Sequence, residues 1–187
     1  MPQGAASVER RLTAVAGRRV AGEDGTVPAS PRRRLREGDI AAWLIKTSVS
    51  PERLVEGWPP DTTQKLERCL RRSYRLDLMR PGHLALLWLS GPHRPGVHAV
   101  GTVTGPPTTG RTGADRKDGP DKPRGGDDRP AVSLSLRLLP RPVSRATLLQ
   151  SPSFADAEVL RMPAGSNPSY LTAAQLAAVR DLLDDAG

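Results

Sequence analysis

The chain has 187 residues, 37% of them hydrophobic and 26% charged, with a formal net charge of +8. That length and apolar content suit one folded domain with polar extensions rather than two domains. A single cysteine, Cys69, excludes an intrachain disulfide and a thiolate metal site. With no signal-peptide pattern and no apolar run near the roughly 18 residues of a membrane span, a cytoplasmic protein is expected.

Residues 1–39 are rich in Gly, Pro and Arg and poor in large apolar side chains. Such a segment cannot offset the entropy of ordering, which predicts a disordered basic tail. A folded domain is expected over 40–187. Ile40 to Thr47, IAAWLIKT, reads as a buried first strand. Ser50-Pro51 starts a short helix, Ser as its cap and Pro at its first position, and Gly57 with Pro59-Pro60 stops it. Asp61-Thr62-Thr63-Gln64 has the spacing of a capping box and predicts a second helix to about Arg72, with Leu66, Cys69 and Leu70 on its inner face.

Pro81-Gly82 turns the chain into a strand from about Leu84 to Leu89 whose continuous apolar run predicts burial on both faces. Gly91 to Gly96 makes the next turn and Val97 to Thr104 the return strand, where Gly101 marks a bulge or the close approach of another backbone. Residues 105–130, dense in Gly, Pro and charge, predict a flexible inserted loop. Ala131 to Leu139 alternates Val132, Leu134, Leu136 and Leu138 with polar residues, the period of a half-exposed strand, and Pro140 and Pro142 end it. Arg145 to Gln150 reads as a helical turn and Ala157 to Met162 as a last short strand. Thr172 to Gln175 repeats the capping-box spacing, with Leu176, Val179, Leu182 and Leu183 as the buried stripe of a final helix.

These elements describe a small α+β barrel. In their order and spacing, AAWLIKT, GWPP, LMRPGH, LALLWLSGP, GVHAVGTVTGPP and GSNPSYLTAAQL resemble an EVE domain, of the PUA-like superfamily related to YTH domains. The resemblance covers about 40–187 apart from the inserted loop. It implies a small PUA-like β-pseudobarrel flanked by short helices, binding DNA or RNA and accepting a modified base, such as 5-methylcytosine or N6-methyladenine, among aromatic rings. A base taken from its stack recovers energy by stacking and by hydrogen bonds to its edge, whereas one methyl group adds under about 1 kcal/mol of burial.

By the same resemblance, Lys46, Thr47 and Ser48 fall where the first strand of YTH-like members ends against base and sugar; Val49 departs from the polar pattern there. Trp58 falls where those relatives place a cage Trp, and its other reading is a plug at the barrel end. Tyr74 flanks the same opening. Trp43 and Trp88, inside apolar strands, read as core whose edges could line the pocket. Asn167 in GSNPSYLT offers either an amide for a base edge or a turn former.

Residues 40–105 carry nine basic and five acidic groups, and Arg68, Arg71, Arg72, Arg75 and Arg80 lie close in sequence. Such a cluster suits phosphate contacts; it also suits a solvated face. His83, His93 and His98 lack the spacing of a zinc set, and no nucleophile elbow, phosphate-binding loop or paired carboxylates occur, so neither an enzyme nor a cofactor is expected. The alternative to a nucleic-acid reader is a basic protein-interaction module that keeps the fold. With no catalytic domain in view, an effector acting in trans is the expected second partner.

Overall fold

The computed structural model describes residues 34–108 and 129–184. Six strands form one mixed sheet: β1 (Ala42–Thr47), β2 (Thr63–Cys69), β3 (Leu84–Leu89), β4 (Gly96–Val103), β5 (Ala131–Ser144) and β6 (Ser169–Leu171). Their spatial order is β2-β5-β4-β3-β1-β6, with β1 and β3 parallel and the other pairs antiparallel.

The sheet curls. β2 is first in that order and β1 fifth, four spacings or about 19 Å apart in a flat sheet. Yet Arg68 of β2 hydrogen-bonds Thr47 of β1, and the Arg71 amide reaches the Asn167 carbonyl beside β6. The inner face holds Trp43, Ile45, Leu87, Leu134 and Leu136, with Trp58 and Met79 closing one side. The outer face carries Leu44, Leu86, Trp88 and Val97 beneath short helices: α2 (Arg145–Leu148), α3 (Pro152–Ala155), α4 (Glu158–Arg161) and the longer α5 (Ala173–Asp184). This is the expected α+β pseudobarrel.

β3 falls where its apolar run predicts, and the first short helix, α1 (Pro51–Leu54), starts at Pro51. A Cβ on Gly101 would lie 1.9 Å from the Ser135 carbonyl oxygen, so the predicted close approach is the β4–β5 pairing itself. At α5 the Thr172 amide donates to Gln175 Oε1 and the Gln175 amide to Thr172 Oγ1, a complete capping box.

Four expectations about the elements are corrected. The segment from Asp61 is not a helix: Thr63–Cys69 is β2, alternating exposed and half-buried residues against β5. Pairing with a long neighbouring strand outweighs a local cap signal, and Gln64, Leu66 and Arg68 point inward at period two. Cys69 is accordingly exposed rather than packed inside. β5 runs on to Ser144 through both prolines. Val97 pairs with Val143 and Ala99 with Leu138, so Leu139 to Pro142 bulge out opposite His98, where a missing amide costs no ladder bond. Finally, Glu158–Arg161 is the helix α4 and the last strand is Ser169–Leu171.

Residues 34–39, placed in the disordered tail by composition, instead pack on the domain, with Leu35 in the inner core and its amide donating to the Tyr74 hydroxyl at 3.0 Å. The expectations for 1–33 and for 109–128 lie outside the described residues.

Candidate nucleic-acid interface

Of the polar residues singled out in the sequence, Lys46, Thr47, Arg68, Arg71, Arg75 and Asn167 come together where β2 meets β1 and β6. β1 ends there at Lys46-Thr47, and Asn167 stands two residues before Ser169, the partner of Leu44. The Asn167 side chain continues that ladder: the Lys46 amide donates to its Oδ1 at 3.0 Å and its Nδ2 donates to the Lys46 carbonyl at 3.0 Å. Both amide atoms are thus committed to backbone, which is the structural reading of Asn167 rather than the base-reading one.

Lys46 Nζ donates to the carbonyls of Pro163 and Gly165 at 3.0 and 2.9 Å, tying the loop after α4 to the strand end. Burial lowers the Lys46 pKa, Glu158 opposes that shift, and Arg71 and Arg75 reinforce it. Thr47 is buried, and its Oγ1 accepts from the Val49 amide and from Arg68 Nη2 at 3.2 Å.

Arg68 is the unusual member. The guanidinium reaches inward and meets a neutral hydroxyl, while its Nε is buried without a hydrogen-bond partner. Burial pushes its pKa down. The Ser73 hydroxyl is likewise buried and unpartnered. Buried polar groups are almost always satisfied, so these two unmatched ones stand out among the described residues.

Arg75 is held differently. It pairs through two hydrogen bonds, 2.7 and 2.6 Å, with Glu158, both side chains being 13% exposed. Hydrogen bonding to Glu158 raises its pKa. Burial works to raise the Glu158 carboxyl, but the hydrogen bonds from Arg75 and Ser169 and the nearby positive charges outweigh it and hold it below its usual value. Arg75 also stands 5.5 Å above the Tyr170 ring. Arg71 and Arg72 are exposed beside this group. Arg80 caps the carbonyls of Asp77 and Met79.

The tryptophans singled out in the sequence do not join the cluster. Trp58 is 3% exposed, its indole N–H donating to the Thr62 carbonyl, so it plugs the core rather than facing an open cleft. Trp43 is buried with its N–H on His83, and Trp88 stacks on Phe154 with ring centres 6.4 Å apart. One face of Tyr74 is covered by the Arg34 guanidinium at 4.3 Å. Ser48, exposed, borders a separate recess of about 300 Å³ with Arg53, His93 and Arg94. Among the described residues no three metal-ligating side chains come together, and no helix is long and apolar enough to cross a membrane.

Glu158 is the member of the site that the sequence did not disclose. It lies in a segment read as a strand, and nothing local tells that its carboxylate meets an arginine 83 residues earlier.

No family model matches the sequence, and no curated protein matches it. Solved structures share its fold at low identity. A hypothetical protein from Leishmania major overlays with TM-score 0.57 at 17% identity, over 81% of this chain and 99% of that one. The DUF55 domain of human thymocyte nuclear protein 1 overlays with TM-score 0.50 at 19% identity, over 77% of this chain and 99% of that one. Human THYN1 in complex with 5-methylcytosine-containing DNA gives a looser overlay, TM-score 0.48 at 18% identity over 76% of this chain and 97% of that one, too loose to argue from. The first two likenesses show that the chain shares its α+β fold with solved structures.

Proposed function

We propose that the domain is a non-catalytic nucleic-acid-binding module of EVE type. In this reading a base presents its acceptor edge to Arg68 beside Thr47, where β2 meets β1, while Arg71 and Arg72 contact the backbone phosphates. The observation that carries it is Arg68, a largely buried guanidinium facing a hydroxyl with one donor unmatched. Guanidinium donors pair well with oxygen and nitrogen acceptors on base edges, and exposed arginines beside them supply the sequence-independent attraction to phosphate.

The modified base implied by the resemblance belongs to the same proposal. Stacking on Trp58 requires its ring to leave the core, so the reading rests on edge contacts at Arg68 rather than on stacking. The enclosure of Trp58 also favours a second reading, a basic protein-interaction module that keeps the fold without a base pocket.

Matched oligonucleotides, unmodified or carrying 5-methylcytosine or N6-methyladenine, separate these readings at two salt concentrations. The nucleic-acid reading predicts salt-dependent binding that Arg68→Gln weakens at least tenfold. Preference for a methylated strand that Trp58→Phe abolishes supports base stacking. Equal weak binding to every strand, untouched by Arg68→Gln, leaves the protein-interaction reading.

A further inference from the structure

α5 covers the outer sheet face only in part. Its stripe of Leu176, Val179 and Leu183 faces Leu84 and Leu86 of β3 and Val100 of β4, and a recess of about 450 Å³ lies between the two surfaces. Leu84, Val100 and Leu183 are half-buried, so the apolar lining stays within reach of solvent. The recess exists because outward-facing side chains turn polar along the sheet, from Leu86 on β3 to Thr102 on β4 and to Ser135 and Arg137 on β5, just where α5 ends its coverage. It opens on the outer face, whereas Arg68 reaches to the inner one, so it is separate from the interface above.

Small-molecule sites span about 300–1,000 Å³ and combine an apolar lining with a few placed polar groups. This recess has both. Arg137 and Arg180 border it, and both belong also to an adjoining polar cleft with Arg141, Asp61 and Asp184. Asp61 pairs with Arg137 at 2.7 Å, fixing that side chain and offsetting its charge. Arg141 and Arg180 then stand against Asp184, leaving positive charge at the apolar mouth. A lining of leucine and valine offers water few hydrogen-bond partners, so an apolar body gains on entering, and an arginine fork at the rim suits a carboxylate.

We infer that the recess between α5 and β3–β4 binds a small amphiphilic carboxylate, its apolar body against Leu84, Val100 and Leu183 and its head group on Arg180 beside Arg137.

Decanoate and decanol, titrated into the full chain by calorimetry with parallel NMR mapping, provide the test. The inference predicts saturable decanoate binding with shifts at Leu84, Val100 and Leu183. Val100→Phe, which fills the recess, abolishes it, and melting curves check that this variant folds. Arg180→Glu, an exposed change that spares the core, weakens decanoate at least tenfold and leaves decanol within twofold. Decanoate that fails to saturate, that maps elsewhere, or that binds Arg180→Glu as tightly as the parent overturns the inference. Oligonucleotide affinity stays unchanged in Arg180→Glu, so failure here is distinguishable from failure of the interface.

Discussion

Replacing Arg68 by Met keeps most of the aliphatic stem that reaches from β2 toward β1 but removes the guanidinium. Thr47 Oγ1 loses one donor and keeps the Val49 amide, so the fold loses one hydrogen bond from a charged donor, about 1.5–3 kcal/mol. Against that stands a buried unmatched Nε, whose removal returns about 1–3 kcal/mol. The two terms nearly cancel, so the net expectation is a domain within about 2 kcal/mol of the parent's stability, at about 2–4 °C of melting temperature per kcal/mol for a fold of this size. Binding moves the other way. Loss of a charged hydrogen bond to a base edge costs about 1.5–3 kcal/mol, or roughly 10- to 150-fold in affinity. Thermal unfolding by circular dichroism and fluorescence anisotropy with a labelled oligonucleotide read the two arms. A melting point lowered by more than about 8 °C together with affinity unchanged within twofold would make Arg68 a structural post and refute the reasoning.

Further predictions follow from the same packing. Glu158→Gln is expected to destabilise the domain by about 2 kcal/mol by removing the charged partner of Arg75 and Ser169. Because the folded-state Glu158 carboxyl sits below its ordinary value of 4.5, its stabilisation is full above that pH and lost as pH falls below it; denaturation against pH should be flatter there in the variant. If Arg71 and Arg72 contact phosphates, changing both to Ala reduces the slope of log affinity against log salt by about 1.8 on duplex or about 1.4 on single strands, read by binding at several salt concentrations. Asn167→Ala leaves the Lys46 amide and carbonyl without their partners and should cost about 2 kcal/mol in urea unfolding. Phe154→Ala empties a fully buried ring site against Trp88 and should cost about 3–5 kcal/mol by the same measurement.

Several elements were legible because their signals are local. The apolar run at Leu84–Leu89, the Pro at the start of α1 and the Thr172–Gln175 box each reflect short-range preferences that the tertiary structure keeps. β2 was not legible as a strand. Asp61 to Gln64 imitates a helix start, and the alternation of Gln64, Leu66 and Arg68 carries meaning only once β5 lies beside it. The same holds for β5 beyond Pro140, where the bulge opposite His98 tolerates residues that would end a regular strand. Glu158 was invisible because its role depends on a contact with Arg75 made through folding alone.

The sequence by itself determined a basic α+β domain, most of its strands, the resemblance to EVE domains, and the polar candidates Lys46, Thr47 and Arg68. Only the tertiary structure decided which of them share a site. Curling brings β2 to β1 and sets Arg68 against Thr47, while the same closure draws Trp43 and Trp58 into the inner core. Composition reports what a side chain can do; burial and the partners across the sheet decide whether a ring packs or stacks, and whether an arginine is paired or left with a donor to offer.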